Sequence, residues 1–142
     1  MVNRVIFLAF LAIMSTPAVS DDGLDNLVVV LERAQANPGI TDSYYIKRCA
    51  ALQLATETVA EIVGSSELAG RATGNLEEYI KLAAFMDQNE KQAWRLEVIM
   101  ADVKTMTELY ADAMRVSYIQ TGLYLSRDIE IDWAFCEGLG VE

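Results

Sequence analysis

Histidine is absent from all 142 residues of this chain. Its absence removes the commonest general base, the commonest metal ligand and the ordinary pH switch near neutrality. It also excludes a histidine-ligated haem, and no C-x-x-C-H attachment sequence occurs. Basic residues are the scarcer charge: 11 Lys and Arg stand against 21 Asp and Glu, a formal charge of −10. Such a surface repels phosphate backbones and anionic lipid, so nucleic acid is excluded as a partner and a basic protein is the partner it would suit. No Asn-x-Ser/Thr acceptor, internal repeat or low-complexity tract is present.

One apolar run stands out, and it lies at the start. Met1 to Arg4 carries a positive charge, and Val5 to Met14 is continuously apolar. Ser15-Thr16-Pro17 then breaks the helix, and Ala18-Val19-Ser20 places small residues just before Asp21-Asp22. These are the three regions of a secretory signal peptide in order, and the run is too short to span a bilayer. The expectation is a signal peptide over 1–20, cleaved after Ser20, and a periplasmic or secreted product. Residues 21–142 then form a single helical domain of 122 residues, long enough for one core. With Arg4 gone, ten Lys and Arg face 21 Asp and Glu, a formal charge of −11. No second segment approaches membrane-spanning length, so no span is expected in the mature form.

Cysteine occurs only at Cys49 and Cys136. In an oxidising compartment such a pair reads as one disulfide, and the close C-x-x-C spacing of a redox-active pair is missing. Tying the first third of the chain to its end contributes about 4–5 kcal/mol on the loop-entropy account.

Apolar residues recur with helical spacing nearly throughout. Leu24, Leu27, Val28, Leu31 and Ala34 step by threes and fours, which predicts a first helix ending at Pro38-Gly39. A second begins near Thr41-Asp42-Ser43 and runs Tyr45, Cys49, Leu52, Thr56, Val59, Val63 on its inner face. Gln53, Glu57 and Glu61 lie opposite, and Gly64-Ser65-Ser66 stops it. Residues 64–75 are rich in glycine and serine and allow a short helical turn from Glu67 to Arg71. Asn75 can cap a third helix that carries Glu77 and Glu78 in its first turn and buries Leu76, Tyr79, Ile80, Ala83 and Met86. Asp87 followed by Glu90 resembles a capping-box restart. The fourth helix has the cleanest seam, Leu96, Ile99, Val103, Met106, Tyr110, Ala113 and Ser117. From Asn89 to Thr121 it would reach about 45–50 Å, closed by Gly122. Ser126 or Asp128 opens a last short helix carrying Trp133 and Cys136, ended by Gly138 or Gly140.

Candidate chemistry is sparse. Asp128, Glu130 and Asp132 alternate as in the opening of a calcium loop, but Trp133 stands where that loop needs Gly and Leu139 where it needs a bidentate Glu. Adjacent carboxylates such as Glu77-Glu78 do not converge on one bond, as acid–base catalysis requires. Met86, Met100, Met106 and Met114 are too dispersed for a soft-metal motif and read as core filler. The aromatics, among them Tyr44, Trp94, Tyr118 and Tyr124, read as packing residues. The sequence therefore points to no catalytic residue, metal or cofactor. One constellation remains. Asp132 precedes Cys136 by four residues, Tyr45 precedes Cys49 by four, and Arg48 adjoins Cys49. A Cys49–Cys136 bond would bring Asp132 to Tyr45 and Arg48, as a structural fastening or the floor of a binding cleft.

The expected fold is all-α: a four-helix-bundle-like secreted domain whose short C-terminal helix is tied back by one disulfide. In outline this is similar to small periplasmic helical proteins such as toxin-immunity proteins and acid-stress chaperones, in architecture alone. The expected function is a non-enzymatic protein-binding or inhibitory, immunity-like module. A stress chaperone-like protein is the alternative, and an enzyme acting through carboxylates ranks behind both.

Overall fold

Nine consecutive residues, Tyr45 to Gln53, are buried in one helix. Nine residues exceed two turns, so every direction around that helix is covered by protein. The helix is α2, Asp42–Val63, and the rest of the molecule is arranged about it. The structure, a computed structural model, describes residues 24–36, 40–72, 76–89 and 95–139. Among these there are six helices and no strand: α1 Leu27–Ala34, α2, α3 Ser66–Arg71, α4 Leu76–Asn89, α5 Leu96–Thr121 and α6 Arg127–Gly138. The expected signal segment 1–20 with its expected cleavage point, Pro38-Gly39, Asn75, Glu90, Trp94 and Gly140 lie outside the described residues.

α2 packs most extensively on α5 and α4, and it also touches α3 and α6. Ala50, Ala51, Ala55 and Ala60 are all buried, and their small side chains let neighbouring helices approach the α2 backbone closely. Against them pack Leu52 and Val59 of α2, Ala83 of α4, and Ile99, Val103 and Met114 of α5. α1 packs chiefly on α6, and the Cys49–Cys136 disulfide ties α6 to α2 across 87 residues, with the Cα atoms 5.6 Å apart. No described helix is long and apolar enough to cross a membrane.

Local chemistry sets the helix ends. Asn26, Ser65 and Ser126 cap α1, α3 and α6 through their side-chain oxygens, which accept from Val29, Leu68 and Ile129. α2 and α5 end at Gly64 and Gly122, whose φ of 68° and 77° are left-handed values that disfavour a side chain.

Several local expectations differ from the structure, among them Leu96, which heads the expected seam of the long helix and is 60% exposed. The long helix begins at Leu96, so at 26 residues it spans about 39 Å, and Asn89 belongs to α4. Asp87 starts no new helix; it lies inside α4, buried against a cation of α2. On α2, Val63 is exposed and Gln53 buried, the reverse of the expected faces, because the helix is enclosed all round from Tyr45 to Gln53 and has a solvent side only from Glu57 onward and at Asp42.

Candidate functional site

Two adjacent cations, Lys47 and Arg48, sit in the enclosed stretch of α2, and each has a buried carboxylate as partner, Asp87 and Asp132. Arg48 is 1% exposed, as is Asp132 of α6. Arg48 Nη2 donates to Asp132 Oδ2 at 2.6 Å and to the Asp25 carbonyl at 3.0 Å. Its Nε donates to the Tyr110 hydroxyl at 2.8 Å and its Nη1 to the Tyr44 hydroxyl at 3.3 Å. The guanidinium carbon lies 4.9 Å from the Tyr110 ring centre. Tyr110 in turn donates its proton to Asp132 Oδ2, and Asp132 Oδ1 accepts the Leu27 amide at 2.6 Å. One carboxylate thus joins α2, α5, α6 and the first amide of α1. Its negative charge at that amide also complements the α1 dipole.

The electrostatics keep Arg48 charged and Tyr110 protonated. Burial alone would lower the Arg48 pKa, but Tyr110 and Asp132 outweigh it and raise it. Burial pushes the Tyr110 phenol well above its ordinary value, with Asp132 adding to the rise and Arg48 opposing it. Tyr110 is therefore a fixed donor at neutral pH. A group of this kind, closed to solvent and saturated with partners, fastens elements together and offers no open position to a substrate.

Of the residues singled out in sequence, Cys49, Cys136, Arg48 and Asp132 come together. Tyr45 does not join them through hydrogen bonds. It is buried with its ring 5.9 Å from Phe135, and its hydroxyl has no hydrogen-bond partner. Tyr110 occupies the polar role beside Asp132, because α5 crosses α2 at Arg48 and delivers a phenol directly between guanidinium and carboxylate.

The second cluster escaped sequence reasoning. Lys47 Nζ lies 2.8 Å from both Asp87 Oδ2 of α4 and Asp102 Oδ2 of α5, and Ser43 donates to the other Asp87 oxygen. Burial would lower Lys47, yet the hydrogen bonds to Asp102 and Asp87 prevail and raise its pKa. A lysine serving as a base needs the opposite shift, so this one is a charged tie between three helices. The available signal was two neighbouring cations within an alanine-rich, otherwise apolar stretch of helix.

The alternating carboxylates of α6 part company. Asp128 accepts from Asn26 at 2.7 Å, Glu130 pairs with Arg71 at 2.7 Å, and Asp132 turns inward. Among the described residues no group of three or more Cys, Asp and Glu converges as a metal would require. Met114 is buried, Met86 and Met106 pack partly buried against the core, and Met100 is exposed.

What the surface offers instead is an open apolar groove. It lies between the C-terminal ends of α2 and α5, encloses about 320 Å³, and is walled by Val59, Ile62, Val63, Ala111, Tyr118 and Ile119. Ile62 is 78% exposed, Ile119 70% and Tyr118 47%. Tyr124, from the turn before α6, stacks on Tyr118 with centroids 4.3 Å apart and planes 7° from parallel. Asp112 and Arg115 are its only charged lining residues among those described, 3.6 Å from each other. A second groove, about 430 Å³, flanks the other side of α5 between Val116, Gln120, Leu123 and Leu125.

Neither a protein family, a curated protein nor a solved structure matches this chain.

Proposed function

We propose that this protein is a secreted, non-enzymatic helical module that binds another protein, in the manner of an inhibitor or immunity protein. The observation that carries the reading is the groove between α2 and α5, where large apolar side chains stand exposed on a rigid helical frame. Scattered exposed apolar residues are ordinary, whereas several converging on one concavity mark a docking surface. The acidic balance of the chain favours a basic partner and a fast, salt-sensitive encounter. On this reading the longer helices act as a bundle-like scaffold, and the two buried ionic clusters hold the groove walls in register. The disulfide is compatible with an oxidising compartment, which supports a periplasmic or secreted location.

Further exposed apolar residues, Phe85 on α4 and Leu96 and Met100 one turn apart on α5, favour the chaperone-like alternative. A chaperone would suppress aggregation of unrelated clients, whereas a specific module would not.

The test is secretion of the full chain with its own leader. Intact mass should place the mature N-terminus at Asp21, in the soluble fraction. Pull-downs from periplasmic extract then compare the wild type with Ile62→Asp/Ile119→Asp. A partner held by the wild type and lost by the variant supports the reading. A partner held equally by both refutes the groove as the docking surface.

A further inference from the structure

We infer that the α2–α5 groove seats a cationic amphipathic helix of the partner, with apolar residues against Ile62, Val63 and Ile119 and an arginine over the Tyr118–Tyr124 stack. This rests on the protein-binding function proposed above and specifies what is bound.

The form of the occupant follows from the walls. Among the described residues there is no strand, so an added strand would find no sheet edge to pair with. The groove runs between two helix ends, the setting in which an amphipathic helix lays down residues spaced by three and four. Its volume, about 320 Å³, is at the small end for a complete ligand and suits a few anchor side chains of a segment lying across it.

The charge of the occupant follows from the field of the whole chain. The groove's cation, Arg115, already faces Asp112. Lys104 and Glu108, one turn apart on the same side of α5 and both exposed, offset each other likewise, so the rim itself is near neutral. The chain as a whole carries a formal −10, and that field favours a cationic occupant. A second copy of this protein would bring that charge with it, and an anionic lipid surface would be repelled likewise.

The stacked tyrosines select the kind of cation. Two parallel rings with Tyr118 nearly half exposed present a flat, electron-rich face within the groove. A planar guanidinium stacks on such a face, whereas an ammonium meets it as a point charge.

The experiment uses three fluorescein-labelled model helices with the same leucine face and with Arg, Lys or Glu on the flanks. Binding to the full secreted protein is read by anisotropy at low and physiological salt. The Arg helix should bind, the Glu helix should bind about tenfold more weakly or not at all, and added salt should weaken the Arg helix several-fold. Ile62→Asp/Ile119→Asp, or the milder Ile62→Ser/Ile119→Ser, should abolish binding without moving the melting temperature, since both side chains are mostly in water. Tyr118→Leu should erase the preference for Arg over Lys. Equal binding of Arg and Glu helices overturns the inference, as does an Arg helix held equally by wild type and groove variants. A concentration-dependent dimer that the groove variants dissolve overturns it in favour of a second copy. If the variants lose a captured partner but no Arg helix binds the wild type, this occupant is wrong while the protein-binding function stands. If the variants keep every captured partner, that function falls too.

Discussion

Asp132 and Leu27 are 105 residues apart, and a carboxylate oxygen of the first accepts the backbone amide of the second at 2.6 Å. The other oxygen of the same carboxylate holds Arg48 and receives the Tyr110 proton. Replacing Asp132 by Asn keeps the shape but leaves Arg48 buried without its counter-charge. The expected loss is about 3–5 kcal/mol in urea unfolding. Arg48→Met with Asp132→Leu should recover part of that loss, because it removes both charges together.

Two of the buried phenols of the core, Tyr110 and Tyr45, should respond in opposite ways. Tyr110→Phe deletes a donor to Asp132 and an acceptor for Arg48, with an expected loss of about 1.5–3 kcal/mol. Tyr45→Phe removes a buried hydroxyl that has no partner, and should be neutral or stabilising by up to about 1 kcal/mol. Parallel denaturant curves on the two variants decide it; equal losses would contradict the assignment of Tyr110 to the cluster.

Cleaving the disulfide releases a closure of 87 residues. The oxidised form should be more stable by about 4–5 kcal/mol, so reductant should lower the melting temperature markedly. Peptide mapping without reductant should recover the segments of Cys49 and Cys136 joined.

Stability should be insensitive to pH near neutrality and fall in alkali. Tyr110 is raised well above 10.0 and Lys47 above 10.5 in the folded state. Each therefore holds its proton more tightly folded than unfolded, and the stability this gives is complete below the unfolded pKa. It is lost as the pH rises through the folded values, beginning near about pH 10. Thermal melts from pH 7 to 11 test the sign, and Tyr110→Phe should soften the alkaline decline.

The meeting of Arg48 with Asp132 was legible because each sits on a helix within one turn of a cysteine, and pairing the cysteines brings the turns together. Tyr110 was legible only as a core residue. Whether it or Tyr45 met the carboxylate depended on where α5 crosses α2, which spacing within one helix does not encode. Lys47 went unnoticed for a related reason. Periodicity assumes a solvent face, and α2 has none along its enclosed middle, so Gln53, Lys47 and Arg48 are inside together. The groove was equally hidden, since Ile62 and Tyr118 look like core residues until the helix ends that carry them are seen to stop short of a covering element.

The order in which the chain is made has a consequence at Asp132. α1 is the first described helix to leave the ribosome, and its chief packing partner, α6, is the last. Until residues 128–136 emerge, Leu27 lacks its acceptor, Arg48 lacks its counter-charge and Cys49 lacks its sulfur partner. The three acquire them together, from one helix of 12 residues. A nascent product that stops before α6 is left with an uncompensated cation at its centre, so the core about Arg48 can close at low cost only when the chain is complete through α6.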